Sequence, residues 1–216
     1  MKKLFQNLFP QKKNRMFAAL PRKTKAQSLA EFAIALPVLF LLLSGVVEFG
    51  FALNYYLSLL DATRESARFY SNGDPFNADG TDNIDFYTNT AAMARASLDP
   101  LVVNPSYVGR RIELDSAADD VIVTVYAKSS TGVVSYPTAG PYQMYGNATT
   151  MFTASEIESR FASGSPNAGI LVVEVHYNYN QVMKLPWLTP FVPDPFVLTA
   201  YTMMPISAAE PIESGP

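Results

Sequence analysis

Residues 24–56 read TKAQSLAEFAIALPVLFLLLSGVVEFGFALNYY, and this stretch decides the architecture of the chain. Between Phe32 and Val47 it contains sixteen residues without a charge, and the apolar run extends to Leu53 with a single acid. As a helix, these 22 residues are about 33 Å long, which is enough to cross the hydrocarbon core of a bilayer. The stretch therefore predicts a transmembrane helix over residues 27–53.

Three residues are unusual for such a helix: Glu31, Pro37 and Glu48. A charged side chain in hydrocarbon costs several kcal/mol, so an acid there is seldom incidental. Pro37 leaves one backbone carbonyl without its helical partner, which predicts a kink of the kind that membrane helices tolerate. Glu48 is expected either at the outer membrane interface or facing a partner helix.

The residues before this helix are strongly basic. Residues 1–26 carry eight positive charges and no acid, whereas the remaining 190 residues carry 8 basic and 19 acidic side chains, a net charge of −11. A basic tail can bind nucleic acid, but this one adjoins the apolar run directly, so the positive-inside rule predicts a cytoplasmic leader instead. A cleaved secretory signal fits less well, because no small-x-small cleavage site follows the apolar run.

The chain beyond the membrane segment has the size of one ordinary domain. About 150 residues remain after the leader and the anchor, which is enough for one hydrophobic core. There is no cysteine, which excludes disulfides, thiolate nucleophiles and cysteine-ligated metals. The predicted organisation is a leader at 1–26, a transmembrane helix at 27–53, its continuation at 54–70, an extracytoplasmic domain at 71–206 and a flexible tail at 207–216.

The continuation of the helix is amphipathic. On a helical wheel one side collects the charged residues, and the opposite side collects Tyr56, Leu59, Thr63, Ala67 and Tyr70. The charged residues form two favourable three-apart pairs, and they are Asp61 with Arg64 and Glu65 with Arg68. A solvated helix face is the simpler interpretation; a strip of salt bridges between subunits is the alternative.

A turn-rich loop follows, and its acids raise the question of calcium. The segment from residue 71 to residue 90 is dense in Gly, Pro, Asn and Asp. Its carboxylates could supply oxygen ligands, but their spacing does not reproduce an EF-hand loop, so a plain surface loop is favoured. The calcium candidates are Asp74, Asp79, Asp82 and Asp85.

The remaining pattern alternates as in a sheet. Strands are predicted at Asp120–Lys128, within residues 168–182, and at Phe196–Ile206, while residues 130–150 are expected to be irregular. In the middle strand, one face should carry Leu171, Val173, Val175, Tyr177 and Tyr179, and the other Val172, Glu174, His176 and Asn178.

Two short helices complete the expected elements. One is predicted at Thr90–Leu98, ended by Asp99-Pro100, and one at Ala154–Phe161 with Ser155 as its N-cap. The sequence therefore predicts an α+β fold, in which a long N-terminal helix packs on a small antiparallel sheet of three or four strands.

Catalytic residues are scarce. His176 is the only histidine, and one histidine without cysteine cannot build the common zinc sites. No phosphate-binding, nucleophile-elbow or metalloprotease motif occurs. We therefore expect no enzyme activity, no cofactor and no metal; a membrane-tethered hydrolase has little support.

The N-terminal segment resembles a known family. A basic leader, a small residue, four further residues, a glutamate and an aromatic ahead of an apolar helix are similar to the processing site of type IV pilin-like proteins. The segment from residue 26 to residue 70 resembles the TadE-like pseudopilins of the tight-adherence (Tad) pilus. The residues that follow this pattern are Glu31, Pro37, Gly45, Glu48, Phe49, Gly50, Arg64, Glu65, Ala67 and Arg68. The chain departs from it at Ala26 and Ser66, where the family often has glycine.

The resemblance implies a function. A prepilin peptidase would cleave between Ala26 and Gln27, and Glu31, followed by the aromatic Phe32, would neutralise the new N-terminal ammonium on its own or a neighbouring subunit. The chain would be a minor pilin or pseudopilin, held in the bacterial inner membrane with its N-terminus in the cytoplasm. Its partners would be the peptidase, other pilin subunits and the Tad assembly machinery in a hetero-oligomer, with no nucleic acid. The alternative is an uncleaved, signal-anchored extracytoplasmic binding or adhesion module.

Overall fold

The computed structural model describes residues 23–129, 132–160 and 169–209. Residues 1–22 of the predicted leader and residues 210–216 of the predicted tail lie outside this part of the chain. The chain divides after Leu43 into two compact units, and the first helix contributes to both.

The first helix, α1, runs from Lys23 to Tyr70 and continues through Pro37. Its outer part belongs to the domain, because Leu59, Ala62 and Ala67 are buried in the main hydrophobic core. The predicted charged face is exposed and the predicted apolar face is buried or half-buried. The long helix and its two-sided continuation are therefore confirmed.

The second helix, α2, is longer than the sequence indicated. It spans Ile84–Leu98 and begins six residues before the predicted start. Asn83 is its N-cap, since the side-chain oxygen accepts a hydrogen bond from the Phe86 amide at 3.3 Å. The Asn and Asp residues that predicted a loop thus form the start of a helix, because such side chains satisfy free amides at a helix N-terminus. A short 3-10 helix at Pro100–Val102 follows.

The sheet has five antiparallel strands rather than three or four: β1 (Asp120–Ser129), β2 (Gly132–Tyr136), β3 (Tyr142–Gln143), β4 (Gly169–Tyr179) and β5 (Phe196–Ile206). The strand order is β2-β1-β4-β5, and β3 also pairs with β1. The two additional strands lie in the stretch predicted to be irregular. They are short segments among Gly and Pro residues, and pairing with β1 stabilises them where local propensity does not.

Both faces of the sheet are covered. Val121, Val123, Leu171 and Val173 face α1 and α2 in the main core. On the opposite face Tyr126, Val172, Phe152 and Ile157 form a second, smaller core. The predicted alternation of β4 is confirmed, and the α+β fold is confirmed with it.

The third helix, α3, is Ala154–Glu158, and its cap differs from the prediction. Thr153, not Ser155, is the N-cap, and Glu156 completes a reciprocal capping box. The Glu156 carboxylate accepts hydrogen bonds from the Thr153 amide and hydroxyl, and these bonds lower the pKa of Glu156. The N-cap lies two residues before the predicted one because this cap pairs both free groups.

The last described residue belongs to the core. Ala209 is buried, and a Cβ added at Gly169 would clash with the Ala209 Cβ. The chain therefore stays packed against the start of β4 for three residues beyond β5.

Candidate functional site: the N-terminal helix

The residues of the predicted processing site lie on one continuous stretch of α1. Ala26 precedes Gln27 within the helix, and the Gln27 side-chain amide donates a hydrogen bond to Glu31 Oε1 at 3.0 Å. Glu31 and Phe32 are both exposed. The carboxylate is thus one helical turn from Gln27 and is held by a neutral partner.

The first part of α1, described alone, is an apolar surface. Leu29 and Ile34 are 73% and 77% exposed, and Val38, Leu39, Phe40, Leu42 and Leu43 are exposed as well. A shallow depression in this surface is lined by Glu31, Ile34, Ala35, Val38, Leu39 and Leu42. A helix of this length and composition could cross a membrane. Contiguous apolar surface of this kind marks contact with lipid or with another apolar helix.

Glu48 is buried against the loop that follows β4. It is only 4% exposed, and its partners belong to the chain's own domain. Glu48 Oε1 accepts hydrogen bonds from the Tyr179 hydroxyl at 2.6 Å and the Val182 amide at 2.8 Å, and Oε2 accepts one from the Met183 amide at 3.0 Å. Glu48 therefore joins α1 to the end of β4 and the loop that follows it.

This arrangement is electrostatically favourable. A buried carboxylate is tolerated when donors satisfy its lone pairs, and Glu48 has three. Burial, together with the hydrogen bond to Glu48, raises the pKa of the Tyr179 hydroxyl, so this tyrosine stays a donor. Sequence reasoning missed these partners because they are more than 130 positions away; the only signal was an acid placed on the domain side of an apolar helix.

The charged face of α1 is partly as predicted. Asp61 and Arg64 form an exposed ion pair with a 3.7 Å separation. Glu65 does not form the predicted pair with Arg68. Its Oε2 accepts a hydrogen bond from the Ser97 hydroxyl of α2 at 3.0 Å instead, because α2 is near enough to offer a donor. Arg68 is exposed.

The candidate calcium ligands serve separate local hydrogen bonds. Asp79 binds the amide and hydroxyl of Thr81, and these bonds lower the pKa of Asp79. Asp82 accepts hydrogen bonds from Thr138, while Asp85 lies in the first turn of α2. Within residues 23–129, 132–160 and 169–209, no three acidic or histidine side chains converge in a way that could hold a metal ion.

His176 lies on the β4 face away from α1. Its Nε2 is 3.4 Å from Glu174 Oε2, and its Nδ1 is 3.4 Å from the Thr199 hydroxyl. Glu174 is fully buried and also accepts hydrogen bonds from the Thr150 hydroxyl and from the Met151 amide at 2.8 Å. Glu174 therefore holds the loop before α3 against the sheet.

Asp120 is a second buried carboxylate that fixes the same loop. Its two oxygens accept hydrogen bonds from the amides of Val121 and Tyr145 at 2.9 Å, Asn147 at 2.8 Å and Ala148 at 3.1 Å. The sequence shows this aspartate only as the first residue of a strand, so its partners were not predictable.

These features define a class of protein: an α+β domain on one long N-terminal helix, whose exposed apolar part has the length and composition of a membrane anchor. Residues 26–68 match the family model described as TadE-like protein, which confirms the resemblance over this segment. That family consists of pilin-like proteins associated with the Tad pilus. No curated protein and no solved structure matches the chain.

Proposed function

We propose that this chain is a minor pilin or pseudopilin of a Tad-type pilus and secretion apparatus, and that it acts as an assembly subunit rather than as an enzyme. The observation that carries the proposal is the TadE-like match over residues 26–68, which covers the cleavage junction, the apolar helix and its amphipathic continuation. The exposed apolar surface supports the proposal, because such a helix is surrounded by lipid before assembly and packs against other helices after assembly.

The proposed first step is processing. The protein is inserted in the bacterial inner membrane with its basic leader in the cytoplasm, and a prepilin peptidase cuts between Ala26 and Gln27. The hydrogen bond that the uncharged Gln27 side chain donates to Glu31 supports the second step. Cleavage places an ammonium group one helical turn from this exposed carboxylate, and the two charges neutralise each other within or between subunits.

Mass spectrometry of the protein purified from membranes tests the processing step. The expected N-terminal peptide begins at Gln27 when the prepilin peptidase is present and at Met1 when the peptidase gene is deleted. Ala26→Trp is the matched control and should block the cut, since the peptidase accepts a small residue there. An unprocessed N-terminus in the presence of the peptidase would favour the uncleaved adhesion module instead.

Glu31→Gln tests the pairing step. The variant keeps the size of the side chain and should insert in the membrane normally, but the amount of chain in sheared pili should fall about tenfold, the equivalent of roughly 1.4 kcal/mol. Glu158→Gln is the control, because Glu158 is an exposed acid outside α1. Equal assembly of the two variants would contradict a role for the Glu31 charge.

A further inference from the structure

The loop between β4 and β5, residues 180–195, presents apolar side chains outward from a fixed backbone. The ends of the loop are tied together, since the Gln181 amide donates to Asp194 Oδ1 and the Gln181 side chain donates to the Val192 carbonyl, both at 2.9 Å. Leu188 is buried beneath it. Trp187 is nevertheless 49% exposed and Phe191 71% exposed, and Val182 and Met183 are exposed beside them.

This loop is attached to α1 at two points. Val182 and Met183 donate their amides to Glu48, and the Trp187 indole Nε1 donates to the Ser44 hydroxyl oxygen at 3.3 Å. Ser44 and Glu48 both lie inside the apolar stretch that ends at Leu53. The attachment points are therefore within the stretch itself and not beyond it.

The positions of Ser44 and Glu48 along α1 determine how deep the loop lies in a membrane that this helix crosses. Ser44 precedes Leu53 by nine residues, or about 14 Å along the helix axis. On other sides of the same helix Phe49, Leu53 and Leu57 are exposed, so the apolar surface continues outward past the loop. When the apolar stretch is in a bilayer, the loop lies at or below the level of the outer headgroups.

We infer that residues 182–191 form a lipid-binding surface that dips into the outer leaflet of the membrane that α1 crosses. Tryptophan and other aromatic rings favour this interfacial layer because one edge can form hydrogen bonds while the rest is apolar. Lys184 is the only charged residue between Gln181 and Pro193, and its exposed side chain can reach anionic lipid phosphates. The inference rests on the proposed membrane anchoring and adds a second point of contact to it.

The chain provides its own reporter, because Trp187 is the only tryptophan. The full chain is reconstituted in vesicles of phosphatidylethanolamine with a minority of phosphatidylglycerol, and its emission is recorded with and without lipids brominated near the headgroup end of the acyl chain. We expect blue-shifted emission, at least a halving of the intensity by the brominated lipid, and weak quenching by acrylamide. Quenching of the emission by acrylamide but not by the brominated lipid would overturn the inference.

Two reporter variants serve as controls. In Trp187→Phe/Phe69→Trp the reporter moves to an exposed position on α1, about 38 Å beyond Ser44 along the helix, and the brominated lipid should have no effect. In Trp187→Phe/Val38→Trp it moves into the anchor, where lipids brominated deep in the acyl chain should quench it.

The second control separates the two proposals. Quenching of the reporter at position 38 without quenching of Trp187 in the unmodified chain would leave the membrane anchor standing and refute the loop contact, whereas quenching of neither would refute the anchor itself. A third outcome is a blue-shifted Trp187 emission that brominated lipid does not quench and whose blue shift decreases as the protein is diluted in lipid. That outcome would show that the surface contacts a neighbouring copy, and it would also overturn the inference.

Discussion

At the scale of single residues, buried carboxylates organise the domain. Glu48, Asp120 and Glu174 are each almost or fully buried, and each accepts at least two hydrogen bonds from backbone amides or hydroxyl groups. Such bonds are stronger than those between neutral groups, and their loss leaves donors without partners. The carboxylates thus link distant segments of this cysteine-free chain, as disulfides do in many small exported domains.

Glu48→Ala should destabilise the domain by about 3 kcal/mol, because it leaves two amides and the Tyr179 hydroxyl without their acceptor. Thermal unfolding of the full chain in detergent micelles, followed by near-UV circular dichroism, should show a fall in Tm of about 10 °C. Asp61→Ala removes an exposed acid from the same helix, and should change Tm little. Similar values for the two variants would show that Glu48 does not stabilise the domain.

At the scale of the elements, α1 changes its surroundings along its length. Residues on its first part face outward on all sides, whereas its outer part contributes Leu59, Thr63 and Ala67 to the domain interior. Thr63 meets Thr202 of β5 at 2.9 Å, and Tyr55 stacks on Tyr177 of β4 at a centroid distance of 5.8 Å. One element thus combines an apolar stretch long enough to cross a membrane with a core helix of the domain.

The glycines of two elements should respond oppositely to alanine. At Gly50 of α1 an added Cβ meets nothing within 4 Å, so Gly50→Ala should stabilise the isolated chain by about 0.5–1 kcal/mol through helix propensity. At Gly169 of β4 the added Cβ would meet Ala209 and Ile206 within 3 Å, so Gly169→Ala should lower Tm. Unfolding in detergent micelles measures both changes.

The same Gly50 variant bears on assembly. Because the chain's own packing does not require this glycine, reduced incorporation of a stable Gly50→Ala chain into pili would indicate close approach by a neighbouring helix. A Gly50→Ala chain that is less stable than the unmodified chain would contradict the helix-propensity argument.

At the scale of the whole molecule, buried tyrosines couple domain stability to alkaline pH. Burial raises the pKa of the Tyr177 hydroxyl to about 12, with the neighbouring Tyr55 adding to the effect. Burial also raises the pKa values of Tyr87, Tyr126 and Tyr179. The fold therefore favours the neutral phenol in each case.

The raised pKa values of these tyrosines determine how the stability of the domain changes with pH. A phenol whose folded pKa lies above its unfolded value of 10.0 contributes stability that is complete below pH 10 and is lost as the pH rises to about 12. Urea unfolding of the full chain in micelles should show constant midpoints up to pH about 9.5 and a steep decline above that. Tyr177→Phe should flatten the decline and the more exposed Tyr201→Phe should not; equal slopes would contradict the assignment.

Much of this molecule follows from local sequence. The apolar run with its basic flank predicts a long helix, and the alternation of Leu171, Val173 and Val175 with Val172 and Glu174 predicts how β4 faces its two cores. These patterns succeed because helix and strand periodicities are imposed by the backbone. They do not distinguish between competing caps, so the choice of Thr153 instead of Ser155 as the N-cap of α3 was decided by the reciprocal hydrogen bonds with Glu156.

From its sequence alone, this chain could be assigned a long apolar helix with a basic flank, a TadE-like segment and the α+β class. The folded chain was needed to show what Glu48 binds, where Trp187 and Phe191 lie, and that β2 and β3 pair with β1. For Glu48 and Trp187 the physical reason is distance along the chain, whereas β2 and β3 are short strands that pairing with β1 stabilises and local propensity does not. Hydrogen bonds between residues more than 100 positions apart leave no periodic trace in the sequence, and they form only after the sheet and α1 have brought their partners together.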